Sequence, residues 1–445
     1  MNTPICDFVK QYSQKNTLRL HMPGHKGQSF LGYESADITE ISGADSLYEA
    51  DGIIRESEEN ASVIFGCKTL YSTEGSSLLI RSMLYLVCLY AKEKGTEPLI
   101  FAARNVHKSF LSAAVLLDFG IEWLYPDEQE SYLSCNITAD KLDKVLKEAE
   151  TLPTAVYITS PDYLGNIADI RALSEICKKY GVLLLVDNAH GAYLRFLPES
   201  QHPVDFGADM CCDSAHKTLP VLTGGAYLHI ANNAPECFYN NAKNALSLFG
   251  STSPSYLILQ SLDNANIYLH NKFRSELEQF LVQVAELKKI IKNSGYVSVE
   301  KEPLKITLNT KKYGYTGKDF AFILSENNIE CEFADEDFVV LMLTPCLGVK
   351  SLDTIRDILL SVPQKAEITT KPPKIIRPQK VMSVRCAALS PRETLPLSEC
   401  IGRTLAISET GCPPAVPIVA GGELIDEKSV EVFQYYSINK CTVTK

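Results

Sequence analysis

The sequence lacks the features that mark a secreted, membrane or metal-binding protein. Its 14 cysteines are scattered over 445 residues with no C-x-x-C pair. No apolar run reaches the roughly 18 residues that a membrane-spanning helix requires. The first residues, MNTPICDFVKQYSQ, hold no basic stretch followed by an apolar one and thus no recognisable secretory signal. These absences predict a cytoplasmic protein with reduced thiols and no bound metal.

The chain also lacks an excess of positive charge. Its formal net charge is −11 and its pI is near 5.4, which argues against general binding to nucleic acid or to an anionic membrane. It contains no internal repeat and no low-complexity segment. A hydrophobic content of 45% and a charged content of 22% are those of a globular protein, and its length allows more than one domain.

Apolar runs of strand length alternate with stretches of helix length in the first half of the chain. We expect strands at 99–102, 122–125, 154–159 and 182–186 and helices at 107–120, 139–150 and 170–180. Strands separated by helices of about this length are typical of a parallel sheet with helices on both faces. The sequence therefore predicts an α/β protein.

The segment ADMCCDSAHKTLPVLTGGAYLHI, from Ala208 to Ile230, places a lysine directly after a short apolar strand. Burial lowers the pKa of a lysine and makes its amine nucleophilic toward carbonyl groups. Lys217 can therefore form a Schiff base with an aldehyde cofactor, and Ser214 and His216 can hold the phosphate of that cofactor. From this segment alone, a lysine in a surface loop is an equally good interpretation.

A second candidate lies upstream, in the run GVLLLVDNAHGAY, where a buried strand from Val182 to Val186 is followed by Asp187. Ligands of open α/β sheets bind at the carboxyl ends of strands. A carboxylate there can pair with the protonated ring nitrogen of pyridoxal phosphate (PLP), and the small Ala189 would let the ring lie flat. One such aspartate is usually a helix cap or loop residue. An aspartate and a lysine at successive strand ends indicate a PLP site more strongly than either residue does alone.

Four motifs together resemble the ornithine/lysine/arginine decarboxylases, a bacterial family with the fold-type-I, aspartate-aminotransferase-like architecture. They are HMPGHKG (21–27), VDNAHGAY (186–193), DSAHKTLPVLTGGAYLH (213–229) and STSPSYL (251–257), and they occur in the family's order. The resemblance covers the chain from about residue 20 to about residue 423. It implies a PLP-dependent transferase fold, with a mostly parallel central sheet flanked by helices and a smaller C-terminal α+β lobe.

The resemblance also implies an activity and three catalytic residues. Lys217 would bind PLP, Asp187 would keep the ring nitrogen protonated, and His107, in the NVHKS segment, would stack on the ring. The reaction would be decarboxylation of arginine, lysine or ornithine to CO₂ and an amine that serves as a polyamine precursor. On sequence alone, His107 would be interpreted as the cap of the helix that it begins.

Two turns rich in small residues are predicted to bind the cofactor phosphate. Gly75, Ser76 and Ser77 open a helix, where backbone N–H groups favour an anion, and they match the family's phosphate-binding turn; a serine N-cap explains the serines equally well. The turn with Thr252 and Ser253 is implied to reach the cofactor of a partner subunit, so we expect a homodimer or a larger oligomer built from dimers. The predicted cofactor set is Gly75, Ser76, Ser77, His107, Asp187, Ala189, Ser214, His216, Lys217, Thr252 and Ser253.

Four segments are expected along the chain. They are an N-terminal arm (1–50), a large PLP-binding domain (51–270), a small α+β domain (271–370) and a C-terminal module (371–445). The last of these begins in the proline- and lysine-rich run KPPKIIRPQ.

Other functions stay open, because a fold does not fix a chemistry. Transamination would need an arginine to clamp the substrate carboxylate, and Arg385 and Arg392 are the candidates in the tail. Aldol cleavage on the same fold is another alternative. A third is a catalytically silent paralogue that keeps the cofactor as a structural element or acts as a regulatory subunit.

The substrate is left open by positions where the sequence departs from the family. Asp162 stands where the family commonly has an uncharged residue. The Gly224-Gly225 pair and the segments 411–417 and 421–423 also differ from the usual pattern. Candidate partners for the distal cation of a basic substrate are Asp45, Glu74 and Glu423.

Overall fold

The computed structural model describes residues 1–15, 17–126, 131–408 and 413–445. The chain forms two compact units, one of residues 1–96 and 183–276 and the other of residues 97–182 and 277–445. Gly411 and Cys412, which belong to the unusual segment 411–417, lie outside the described residues.

Helices and strands are numbered in chain order. The helices are α1 (Pro4–Gln14), α2 (Ile53–Phe65), α3 (Gly75–Glu93), α4 (Lys108–Leu117), α5 (Ala139–Glu148), α6 (Ile170–Tyr180), α7 (Ala215–Thr218), α8 (Glu236–Ser247), α9 (Tyr256–Tyr268), α10 (Arg274–Asn293), α11 (Gly317–Glu326), α12 (Gly348–Ser361), α13 (Val384–Leu389) and α14 (Glu427–Tyr435). The strands are β1 (Lys68–Ser72), β2 (Leu99–Ala103), β3 (Gly120–Leu124), β4 (Ala155–Thr159), β5 (Leu183–Asp187), β6 (Met210–Asp213), β7 (Ala226–Ile230), β8 (Lys305–Asn309), β9 (Phe333–Ala334), β10 (Phe338–Met342), β11 (Arg392–Pro396), β12 (Leu405–Ile407) and β13 (Lys440–Thr444).

The described residues of the first unit form the strands β1, β7, β6 and β5, which are neighbours in this order. Strands β5 and β6 run parallel and place Asp187 opposite Cys212, whereas β7 is antiparallel to both β6 and β1. Every residue of β5 and β6 is buried, as expected for strands that are covered on both faces. The parallel pairing brings the carboxyl ends of β5 and β6 to the same edge of the sheet.

The N-terminal helix is shorter than the sequence pattern predicts. The amphipathic pattern of residues 1–20 predicts a helix there, but α1 ends at Gln14 and the next residue has an extended backbone. Ile5 and Val9 are buried, and Asp263 on α9 accepts a hydrogen bond from the backbone N–H of Cys6 at 3.0 Å. The helix therefore continues only as far as its apolar side is packed.

In the described residues of the second unit, the strands β4, β2 and β3 are neighbours in this order and run parallel. This unit also holds two antiparallel three-stranded sheets, β8-β10-β9 and β11-β13-β12. The second of these has its own core, which includes Leu405, Ile425, Phe433 and Val443. The predicted α/β class, with a mostly parallel sheet and smaller C-terminal α+β elements, is confirmed. In the described part of the chain, no helix has the length and apolar character needed to cross a bilayer.

Candidate active site

Asp187 ends strand β5 in the first unit, as the sequence predicts within one residue. Its side chain is buried, and Oδ1 accepts a hydrogen bond from the backbone N–H of Ala189 at 3.2 Å. The Sγ of Cys212 lies 3.7 Å from the same oxygen. Burial raises the pKa of the Cys212 thiol well above its ordinary value, so this neighbour is neutral. The carboxylate thus lies in a buried position at the strand end, where it can meet the cation of a bound ring.

Lys217 lies on the single-turn helix α7, directly after β6, and it is only partly exposed. Its Nζ is 2.9 Å from Nε2 of His190, and its backbone N–H donates to the carbonyl of Ser214 at 3.0 Å. Lys217 is therefore not a lysine in a surface loop. The amine is held beside an imidazole near the edge where Asp187 lies.

His190 is a residue that the sequence reasoning missed. It is buried and lies in the VDNAHGAY run shortly after Asp187, so a histidine next to a strand-end aspartate was the available signal. An imidazole at this distance accepts a hydrogen bond from an ammonium group or exchanges a proton with the amine. His190 is therefore a direct hydrogen-bond partner of the Lys217 amine.

The predicted phosphate turn begins helix α3, and hydrogen bonds connect it to the residues around Lys217. Ser214 Oγ donates to Ser76 Oγ at 2.8 Å. The backbone N–H of Gly75 donates to the carbonyl of Gly224 at 2.7 Å, and Ser77 follows in the first turn of α3. The structure thus brings Gly75, Ser76, Ser77 and Ser214 together.

A close backbone approach explains the first glycine of the unusual Gly224-Gly225 pair. Gly224 has a φ of +100°, and a Cβ added there would lie 2.7 Å from the carbonyl oxygen of Thr73. The carbonyl of Gly225 accepts a hydrogen bond from the backbone N–H of His216 at 3.2 Å and lies 3.0 Å from its Nδ1. The pair therefore fits the phosphate turn closely against the segment that carries Lys217.

The second predicted phosphate turn is attached to the first. The backbone N–H of Ser251 donates to Oε1 of Glu74 at 2.6 Å, and Glu74 is the residue before α3. Thr252 and Ser253 are exposed. The structure thus places them next to the turn of Gly75, while their contact with a partner subunit stays a prediction.

A buried charge cluster lies on the face of β6 opposite to Cys212. Asp213 accepts hydrogen bonds from Nδ2 of Asn188 at 2.7 Å and pairs with Nε2 of His202 and His229 at 3.0 and 3.1 Å. Burial alone would raise the pKa of Asp213, but the two imidazoles outweigh it and hold that pKa well below its usual range. With Cys211, the residues His202 and Asp213 form a donor set compatible with a metal ion, so the expected absence of a metal stays a prediction.

His107 belongs to the second unit, where it caps helix α4. Its Nδ1 accepts a hydrogen bond from the backbone N–H of Ser109 at 3.2 Å and lies 2.9 Å from Ser109 Oγ. The structure therefore confirms the capping role that the sequence alone indicates. Because Nδ1 is the acceptor, a neutral His107 carries its proton on Nε2.

Asp162, one of the positions where the sequence departs from the family, forms hydrogen bonds within its own loop. Its carboxylate accepts hydrogen bonds from the backbone N–H and from Nδ2 of Asn166, both at 2.9 Å. Burial raises its pKa, although the bonds from Asn166 oppose this. Asp162 thus has a structural role in the loop after β4.

The carboxylates suggested for a distal substrate cation all have partners within their own units. Asp45 accepts hydrogen bonds from the backbone N–H groups of Gly52 and Ile54 at 2.9 and 2.8 Å. Glu74 is bonded to Ser251, as described above. Glu423 forms a buried ion pair with Arg104 at 2.9 Å. The structure identifies none of the three as a substrate ligand.

The two arginines suggested for a transaminase also have local partners. Arg385 donates to the carbonyls of Val115 and Leu116 at 2.8 and 3.0 Å, which cap the end of α4. Arg392 is exposed, and its partner is the carbonyl of Ala388 at 3.5 Å. Neither arginine is held as a carboxylate clamp.

Comparison with known proteins agrees with this geometry. Residues 3–302 match the family described as Orn/Lys/Arg decarboxylase, major domain. The chain is 28% identical to the arginine decarboxylase of Bacillus subtilis (strain 168) and 30% identical to that of Halalkalibacterium halodurans, over 96% of this chain and 92% of each relative. The crystal structure of the Francisella novicida lysine decarboxylase superposes with a TM-score of 0.82 at 16% identity, covering 100% of this chain and 81% of that one. This chain therefore belongs to the Orn/Lys/Arg decarboxylase family, whose members are PLP-dependent amino acid decarboxylases.

Proposed function

We propose that this chain decarboxylates a basic amino acid, namely arginine, lysine or ornithine, with PLP bound to Lys217. The observation that carries the proposal is the placement of the Lys217 amine beside His190, at the strand edge where the buried Asp187 lies. The relatives named arginine decarboxylase make arginine the first substrate to test. The amine product would be a polyamine precursor.

The donor set in the first unit fits PLP. Ser76 and Ser214 offer hydroxyl groups at the start of the long helix α3, where a phosphate is favoured. Asp187 offers a buried carboxylate for a ring nitrogen, and Lys217 offers a primary amine for an aldehyde. Ser77, Ala189, His216, Thr252 and Ser253 complete the proposed binding set. When bound, the cofactor would withdraw the electron pair that the departing CO₂ leaves on the substrate.

The chain's own residues would orient the substrate and move protons. Asp187 holds a proton on its ring partner, because a buried carboxylate stabilises a nearby cation. Lys217 Nζ and His190 Nε2 hold a proton between them, which either can deliver to the substrate carbon after CO₂ leaves. We propose that His107 stacks on the cofactor and fixes its orientation, so that only the bond to the carboxylate is aligned for cleavage.

We further propose that the catalytic unit is a homodimer in the cytoplasm. Four large apolar side chains of the arm, Leu18, Leu20, Phe30 and Leu31, are between 79% and 84% exposed. A cluster of exposed apolar residues in a short segment is typical of an interface, and a second copy is the partner that the family membership favours. Sedimentation velocity of the full chain, compared with a Leu20→Asp/Leu31→Asp variant, tests this: dissociation of the variant alone supports the dimer, and a monomeric wild-type protein contradicts it.

The function is tested by incubating the PLP-loaded protein with arginine, lysine and ornithine separately and measuring CO₂ and amine. We expect release from at least one of them, a visible absorption band of lysine-bound PLP, and loss of both in Lys217→Ala. Lys179→Ala, which removes an exposed lysine, is the control. The band without CO₂ from any of the three substrates would favour transamination, aldol cleavage or a silent paralogue.

A further inference from the structure

The segment that carries His107 is attached on both sides to one stretch of the C-terminal part of the chain. On one side, the guanidinium of Arg104 donates to the carbonyl of Ile418 and to Oε2 of Glu423, both at 2.9 Å. On the other side, the backbone N–H of Lys108 donates to the carbonyl of Ala415 at 2.8 Å. His107 lies between these two attachment points, all within the second unit.

The ion pair between Arg104 and Glu423 is well enclosed. The two side chains are 4% and 2% exposed. The guanidinium lies over the ring of Trp123, 4.8 Å from its centroid. The same Oε2 of Glu423 accepts a hydrogen bond from the backbone N–H of Ala420 at 2.6 Å, so the carboxylate holds Arg104 and its own turn together.

The turn that precedes Glu423 requires a glycine at position 422. Gly422 has a φ of +87°, and a Cβ added there would lie 2.4 Å from the carbonyl oxygen of Met382. The segment 421–423, which differs from the family pattern, therefore has a geometry that only glycine permits at this position. It directs the carboxylate inward to Arg104.

A stabilising role alone is a weak explanation for such a pair. Removing two charges from water costs about as much as their attraction returns, so a buried ion pair contributes little net stability compared with packed apolar residues. The guanidinium of Arg104 donates to the carbonyl of Pro417 at 3.4 Å as well as to that of Ile418 and to Glu423. A planar guanidinium with three such partners nevertheless has a fixed orientation. Arg104, which carries this guanidinium, is the first residue of the segment 104–108, in which His107 lies.

We propose that Arg104 and Glu423 are positioning residues, which hold the segment 104–108 so that His107 takes the orientation needed for catalysis. This inference rests on the proposed function of His107. The C-terminal module then contributes to the reaction indirectly. Its Glu423 carboxylate holds Arg104, and Arg104 holds the segment that contains His107.

The test uses the full-length chain with Glu423→Gln, which keeps the shape of the side chain and removes its charge, and with Arg104→Lys, which removes the fork. Asp337→Asn is the matched control, because it breaks another buried ion pair of the second unit, Asp337 with Lys311 at 2.9 Å. Three quantities are measured: amide hydrogen exchange of peptides covering 104–110 without PLP, the absorption band of bound PLP, and kcat and KM.

In both test variants we expect faster exchange at 104–110, a shifted PLP band and a kcat lowered by about 10- to 100-fold, with KM changed by less than about threefold. Asp337→Asn should lower thermal stability and leave all three quantities unchanged. Unchanged exchange at 104–110 would overturn the proposal, as would a kcat loss equal to that of the control. If both test variants fail to fold while the control folds, the pair is a stability element and the proposal is wrong.

Failure of the proposed function gives a different result. A wild-type protein that releases no CO₂ from any of the three amino acids contradicts the decarboxylase proposal. Exchange at 104–110 and the PLP band would still decide whether Arg104 and Glu423 position this segment.

Discussion

The Nζ of Lys217 lies 2.9 Å from Nε2 of His190, and the two residues follow the neighbouring parallel strands β6 and β5. The pairing of β5 with β6 sets this relationship, because it puts the ends of both strands at one edge. An amine and an imidazole at this distance form a hydrogen bond, so His190 fixes the position of the Lys217 amine.

His190→Ala should lower kcat by about 100-fold or more, which is the usual contribution of a positioned general acid or base. PLP should still bind to Lys217, since the amine itself is retained. The measurement is kcat together with the PLP absorption band. His270→Ala, a histidine in an exposed position, should leave both unchanged. A His190→Ala enzyme with wild-type kcat would show that Lys217 needs no proton partner.

Gly224→Ala should weaken PLP binding and destabilise the fold by about 1–3 kcal/mol, because the positive φ is strained for alanine. The new Cβ would also meet the carbonyl oxygen of Thr73 at 2.7 Å. Gly181→Ala is the control, since Gly181 also has a positive φ but no atom within 4 Å of the added Cβ. Titration with PLP and urea unfolding measure the two effects. Equal PLP affinity in both variants would contradict the close fit between Gly224 and the phosphate turn.

Local patterns in the sequence were enough to predict the sheet and the positions of Asp187 and Lys217 just at or after strand ends. The continuous apolar runs of β5 and β6 indicate buried parallel strands, and the polar residues after them therefore lie at one edge. That logic located Asp187 and Lys217. The amphipathic pattern was wrong about the end of α1, because apolar residues such as Leu18 and Leu20 extend the pattern although their side chains are exposed.

Contacts between residues that are far apart in the chain could not be predicted from the sequence. Arg104 and Glu423 are 319 positions apart, and no periodicity relates them. His190 was missed for a different reason: its contact with Lys217 depends on a tight turn, in which the backbone N–H of Gly191 donates to the carbonyl of Asn188 at 2.7 Å. Such a turn redirects a side chain in a way that strand alternation does not describe.

Asp187→Asn should bind PLP yet lose nearly all decarboxylation, because an amide does not stabilise a protonated ring nitrogen as a carboxylate does. The expected loss in kcat exceeds about 1,000-fold, which corresponds to about 4 kcal/mol. Single-turnover measurement of CO₂ release with the preferred substrate checks it. Asp205→Asn, which removes a partly exposed carboxylate of the same unit, is the control. Retention of most activity in Asp187→Asn would remove Asp187 from the mechanism.

The stability of the second unit should change with pH because of Asp335, between β9 and β10. Its side chain is buried, and its Oδ1 accepts hydrogen bonds from the backbone N–H groups of Asp337 and Phe338, both at 2.8 Å. Burial, opposed only in part by these bonds, raises the pKa of Asp335 from 3.8 to about 6. Between those two values, the folded chain binds more protons at this position than the unfolded chain does.

The sign of the effect follows from that difference in proton binding. Stability contributed by protonated Asp335 is fully present below about pH 4 and is lost as the pH rises through about 6, by up to about 3 kcal/mol. Asp335→Asn keeps the Oδ1 acceptor and does not titrate. As the pH rises over this range, the free energy of unfolding of this variant should therefore increase relative to that of the wild type. Urea unfolding at pH 4, 5, 6 and 7 measures the gain, and Asp353→Asn controls for the loss of one exposed negative charge. A difference that stays constant with pH would mean that Asp335 is ionised in the folded protein throughout, with the two backbone N–H groups sufficient to hold its charge.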